Sequence, residues 1–202
     1  MKKVISLALA LGMAVMMMVG LTGCGGGETK PAPDNSSPSS KTDTVDNKTN
    51  PVDDKIKLVS DTVNGMTLNV PDDLSEFEDT KGIMRAKNDA GTASIAISAP
   101  QDAGGGVPEA YTKEAYQSTQ MTTYSDVTFL EFKNNATVDG ASAVYAHAKG
   151  TNPNGVKLEL YNYLIFFENG NYQSVAFVFS EGSGTFLEKN IQSIISSMKL
   201  AK

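Results

Sequence analysis

The chain carries one histidine and one cysteine, His147 and Cys24, so nucleophilic and metal chemistry have few residues to draw on. An imidazole can serve as a general base, but a hydrolytic triad needs a partnered serine or cysteine at a suitable site. No Gly-x-Ser-x-Gly elbow occurs. A zinc site generally takes three or four His, Cys or carboxylate ligands, and this chain falls short of that set. Asp72, Asp73, Glu76, Glu78 and Asp79 crowd together but lack the Asp-x-Asp-x-Asp-Gly spacing that arranges oxygens around calcium. They read as a solvated acidic loop. Gly104-Gly105-Gly106 stands ahead of a helix as a phosphate loop would, yet no Gly-Lys-Ser/Thr follows and Glu109 sits at the helix start. It reads as a spacer. Carboxylate pairs for glycoside hydrolysis meet in space rather than in sequence, and no spacing here suggests them. The expectation is no catalytic residue, no metal and no cofactor.

Aromatics offer recognition rather than catalysis. Tyr161, Tyr163 and Tyr172 lie on two neighbouring candidate strands, with Phe167 nearby. Alternation puts Tyr161, Tyr163, Ile165 and Phe167 on one face and Leu158, Leu160, Leu164 and Phe166 on the other. A strand apolar on both faces is covered on both. If the tyrosine face were open it would be a binding patch, so Tyr161, Tyr163 and Tyr172 are the candidate binding surface. The same alternation sets His147 beside Ala143 and Tyr145, away from Val144, Ala146 and Ala148, as an ordinary strand residue.

These residues need strands to hold them. Met66, Leu68 and Val70 alternate with Thr67 and Asn69 until Pro71-Asp72-Asp73. Gly82–Lys87 and Ala93–Ala99 flank Asn88-Asp89-Ala90-Gly91 as a hairpin. Pro108 suits the first turn of a helix running to about Thr122, with a thin apolar stripe of Tyr111, Ala115 and Tyr116. Four longer strands follow: Val127–Phe132 with a continuation toward Val138, Ala141–Lys149, Val156–Phe167 and Tyr172–Ser180. Asn152-Pro153-Asn154-Gly155 and Glu168-Asn169-Gly170-Asn171 are tight-turn sequences, which makes this half an antiparallel meander. Thr185-Phe186-Leu187-Glu188 has capping-box spacing. Leu187, Ile191, Ile194, Ile195 and Met198 then share one helical face. The order is βββαββββα, an α+β sandwich with an antiparallel sheet of about six to seven strands under two helices.

The first residues carry an address. Met1-Lys2-Lys3 and an apolar run from Val4 to Val19 lead to Leu21-Thr22-Gly23-Cys24, the layout of an export signal. The run is long enough to span a bilayer uncleaved, but spanning leaves the placement of Cys24 unexplained. The segment resembles the bacterial lipoprotein signal, whose lipobox is a Leu, two small residues and Cys. That resemblance implies cleavage before Cys24, an S-diacylglyceryl group on its sulfur and room for an N-acyl group (palmitate, for example) on its new amine. Two acyl chains anchor stably where one does not. Residues 1–23 are then a signal peptide and 24–55 the lipidated cysteine and its tether. From Gly25 the chain has almost no large apolar residue to offset ordering entropy. About 30 flexible residues span on the order of 30 Å.

Losing Lys2 and Lys3 leaves 15 of the 17 basic side chains against 23 acidic ones, a formal charge of −8. An acidic body offers no cationic surface for nucleic acid or for anionic lipid. Without a second cysteine there is no internal disulfide, and stability rests on an apolar core. Residues 56–202 form one domain of ordinary size.

Three features together resemble the PsbP/Mog1-like fold, to which DcrB-like bacterial lipoproteins are similar. They are the opening Gly65-Met66-Thr67-Leu68-Asn69-Val70-Pro71, the late hairpins and the closing helix Ile191-Gln192-Ser193-Ile194-Ile195-Ser196-Ser197-Met198. The family's Gly-Trp-type turn after Val-Pro is replaced by Asp72-Asp73-Leu74, and the chain has no tryptophan. The resemblance implies a mostly non-enzymatic module and carries no functional residue to a position here. Function is therefore expected to be that of a lipid-anchored, extracytoplasmic binding or accessory module, on a Gram-positive cell surface, meeting an envelope protein or a small ligand. The alternative is an envelope hydrolase or metal-assisted enzyme using His147 with acidic partners.

Overall fold

The computed structural model describes residues 56–201. The expected signal peptide, Cys24 and the tether lie outside the described residues.

Two-residue turns set the first registers. Asn64 and Gly65 both take left-handed φ, 50° and 78°, the mirror-type turn whose twist suits a hairpin. It joins β1 (Leu58–Val63) to β2 (Met66–Pro71), paired from Val63↔Met66 out to Leu58↔Pro71. Strand β1 is additional to the sequence reading, which starts at Met66. Three of its six side chains, Ser60, Asp61 and Thr62, are polar and Val59 is exposed, so it lacks the apolar alternation that marks β2.

The large sheet collects β3 (Glu78–Thr80), β4 (Ile83–Lys87), β5 (Ala93–Ser98), β7 (Ser125–Val138), β8 (Ala141–Thr151), β9 (Lys157–Phe166) and β10 (Asn171–Ser180). Their order is β3-β4-β5-β10-β9-β8-β7, with the two-residue β6 (Gln101–Asp102) beside β10. Every neighbour pairing in it is antiparallel. The late meander and the β4–β5 hairpin therefore form as the turn sequences predict. Strand β7 runs the full length to Val138, with three register shifts against β8. Such bulges interrupt the ladder and blunt an outer strand against further pairing.

The helix expected from Pro108 is split. Pro108–Ala110 is a single 3-10 turn, and α1 is Lys113–Gln120. Thr112 explains the break: its backbone is extended and its Oγ1 accepts from Ala115 N at 3.1 Å, so the α-helix starts there. The last helix, α2 (Phe186–Ser196), begins at Thr185, whose Oγ1 accepts from Glu188 N. The Glu188 carboxylate reaches back one residue further than a capping box requires, accepting from Gly184 N at 2.6 Å. Leu187, Ile191, Ile194 and Met198 are buried. After α2 a short β11 (Lys199–Leu200) pairs with β2 and completes a three-stranded sheet, β1-β2-β11.

This small sheet and α2 cover one face of the large sheet, the front. Met66, Leu68, Ile95, Ile97, Phe177 and Phe179 pack there with the α2 stripe. Gln173 ties the layers together from within the core, its Nε2 donating to Asn64 O at 3.0 Å and Ser98 O at 2.9 Å. The back face is covered by α1 and its flanking loops, with Tyr116 and Met121 against Val144, Ala146 and Leu164. The result is the expected α+β architecture: two helices on a mostly antiparallel sheet.

Candidate functional site

Strand β9 is buried along nearly its whole length, and its position between α2 and α1 layers accounts for its two apolar faces. The tyrosine face is therefore closed: Tyr161 is 6 % exposed and Tyr163 8 %. Tyr172 does not belong with them. It pairs with Phe166 and so faces the back, where its hydroxyl donates to Gln101 Oε1 at 2.8 Å. The three tyrosines singled out in the sequence do not form one surface, because Tyr172 enters β10 in the opposite phase to Tyr161 and Tyr163.

At the margin of the front face, β8 and β9 assemble a different group. Register sets His147 opposite Tyr161, with Glu131 of β7 on its other side. The imidazole stacks on the Tyr161 ring, centroids 4.0 Å apart and planes 18° from parallel. His147 Nε2 lies 2.7 Å from Glu159 Oε1. An ionised carboxylate only accepts, so in that pair Nε2 carries the proton. The same Oε1 accepts from the Tyr161 hydroxyl at 3.2 Å. His147 and Glu159 side chains are each 18 % exposed, enough for a partner to touch. Beside them Tyr145 and Tyr163 form a second ring pair at 4.8 Å, and Lys133 Nζ stands 6.0 Å from the Tyr145 ring centre. Two ion pairs flank the group, Lys133–Glu131 and Lys149–Glu181, with all four side chains more than a third exposed.

The electrostatics follow from this packing. Burial, then the charges of Glu131 and Glu159, push the Tyr145 hydroxyl up to about 12. Tyr161 and Tyr163 are raised as well, chiefly by burial. All three stay neutral donors at any physiological pH. Lys149 holds Glu181 below the ordinary carboxylate range through a hydrogen bond.

His147 has the carboxylate partner that a general base needs, which satisfies one condition for catalysis. Among the described residues no serine or threonine hydroxyl is hydrogen-bonded to its ring. Nor do three His, Cys, Asp or Glu side chains gather among the described residues to hold a metal ion. The acidic loop serves the backbone instead: Asp72 Oδ1 accepts from Lys57 N and Asp79 Oδ1 from Gly82 N, each at 2.8 Å. The triple glycine likewise spends its amides locally, Gly104 N on Asp102 Oδ1 and Gly106 N on Ala103 O.

Sequence reasoning placed His147 on its face and missed Glu159, Glu131, Lys133, Lys149 and Glu181. Glu159 shares the parity of Tyr161 and Tyr163 and was within reach of the alternation argument. The cross-strand partners depend on register, which no single strand reveals.

No protein-family model matches the chain, and no curated protein matches it. Among solved structures, the Saccharomyces cerevisiae Ran-binding protein Mog1p is similar at 10 % identity and a TM-score of 0.50, covering 73 % of this chain and 97 % of that one. Cyanobacterial PsbP from Synechocystis has 10 % identity and a TM-score of 0.47, covering 72 % and 92 %. A Pseudomonas aeruginosa protein of unknown function, a putative regulator, has 14 % identity and a TM-score of 0.46, covering 69 % and 94 %. At these identities the likeness is one of fold, PsbP/Mog1-like.

Proposed function

We propose that this protein is a lipid-anchored, extracytoplasmic binding module that docks a protein partner of the cell envelope through the front-face margin. One observation carries the reading. Three polar pairs, Glu131–Lys133, His147–Glu159 and Lys149–Glu181, stand side by side on a packed floor of Tyr145, Tyr161 and Tyr163. A rigid aromatic floor under an exposed charged rim resembles the centre and rim of protein interfaces. The fold also hosts a protein-binding role in Ran-binding Mog1p. The anchor rests on Leu21-Thr22-Gly23-Cys24, and the tether of residues 24–55 lets the body meet a partner away from the bilayer.

The test is crosslinking in intact cells with the full chain and with Lys133→Glu/Lys149→Glu. A discrete crosslinked species in the wild type, lost in the double variant, supports the docking margin. No species, or one indifferent to both reversals, overturns it.

The His147–Glu159 contact of 2.7 Å keeps one second reading in play, an envelope hydrolase with His147 as base. Hydrolysis of envelope-type ester or amide substrates by the wild type, abolished by His147→Gln, would favour it over docking.

A further inference from the structure

The back face carries a polar set that neither the margin nor the fold uses. One cross-strand row there runs Arg85, Ala96, Ala176, Asn162, Ala146 and Phe132, from β4 to β7. Asn162 thus stands between two alanines in the middle of the sheet and is only 5 % exposed. Its Oδ1 has no hydrogen-bond partner among the described residues. Ser174, diagonal to it on β10, is buried with an unpartnered Oγ, while its backbone N donates to Ser98 Oγ at 2.9 Å. Above this row Tyr116 of α1 packs in the cluster that holds Val144, Ala146 and Leu164, and its fully buried hydroxyl is also unpartnered among the described residues. Ser94 Oγ, two strands away in the adjoining row, is in the same condition. The Tyr124 hydroxyl has Thr123 beside it but makes no hydrogen bond of acceptable geometry.

An orphaned buried polar group is destabilising, because the hydration it loses is not replaced. Asn162 is flanked across the sheet by the small side chains of Ala176 and Ala146, and several orphaned groups on this one face call for a common guest. Buried polar groups that find no protein partner are commonly satisfied by ordered water. The guest must donate, because Asn162 Oδ1 can only accept. It must also be uncharged, since the Asn, Ser and Tyr groups could not repay the burial of an ion. Arg85, the charged member of the row, stands three strands from Asn162, and its charge is felt by the Tyr124 hydroxyl at the edge of the set.

We propose that the seam between α1 and the sheet, centred on Asn162, Ser174 and Tyr116, is an internal binding chamber for a small, neutral hydroxyl-bearing guest. Ordered water and a small polyol share that chemistry. The chamber is separate from the front-face margin, since Asn162 and Tyr161 point to opposite sides of β9.

The test is NMR on the isotope-labelled full chain, with water-selective NOE spectra recorded before and during titration with glycerol. Long-lived water cross-peaks are expected at the Asn162 side-chain amide and the Ser174 amide. Cross-peaks that persist under glycerol identify water as the guest. Their displacement by glycerol, with shifts at the same two residues, identifies a polyol site. Neither cross-peaks nor glycerol shifts in the wild type overturns the chamber. Asn162→Leu is expected to erase both signals. Should that variant fail to fold, Ser174→Ala removes a hydroxyl and little volume. It is expected to weaken the Asn162 signal, and an unchanged Asn162 signal overturns a shared chamber.

Discussion

His147 and Glu159 hold each other in place, and Tyr161 shares the same carboxylate oxygen. Removing the imidazole with His147→Ala leaves a mostly buried carboxylate with one donor, at a cost of about 1–2 kcal/mol. Urea denaturation should show that loss, whereas Glu181→Gln, at a surface pair, should leave the midpoint where it was. The tyrosines set the alkaline limit. Tyr145 ionises near 12 in the folded protein and near 10 in the unfolded chain. Its contribution is whole below pH 10 and is lost as pH climbs through 12, because only the unfolded state releases the proton in between. Tyr161 and Tyr163 act in the same direction. Stability measured by circular dichroism is therefore expected to fall steeply above pH 10, and Tyr145→Phe to flatten the fall. At this scale alternation alone made the face of His147 legible. Its bond to Glu159 was not, because the strands must first be paired.

The elements were legible where a local rule decides them. The Asn64-Gly65 and Asp139-Gly140 dipeptides both adopt the left-handed pair of a two-residue hairpin, so each announces two strands. The first of these turns borders β1, which the sequence reading missed because Ser60, Asp61 and Thr62 interrupt its apolar alternation. Helix α2 was clear from its cap and stripe. Helix α1 was not, since a proline start and a threonine cap four residues apart compete, and the α-helix follows the threonine. Two predictions belong here. Ile194 is fully buried, and Ile194→Asp should destabilise by more than about 3 kcal/mol, leaving no cooperative unfolding transition. Gln173→Leu removes the donor to Asn64 O and Ser98 O. It should cost about 2 kcal/mol, with hydrogen exchange rising first in the β1–β2 hairpin that Gln173 tethers to the sheet.

For the molecule as a whole, we propose an acidic body held on a lipid leash, whose charged margin meets a neighbour. Cys24→Ala in the full chain should abolish incorporation of a clickable fatty acid and shift the protein out of the membrane fraction; normal labelling would remove the anchor from the account. The docking claim was least legible in the sequence, because its members come from four segments that only the meander brings together. It is tested most directly by a photo-crosslinking amino acid placed at position 133 or 149 in intact cells, with position 87 at the far side of the sheet as control. One discrete adduct is expected from 133 and 149 and none from 87. Adducts of equal yield from all three positions, or none from the margin, would contradict it.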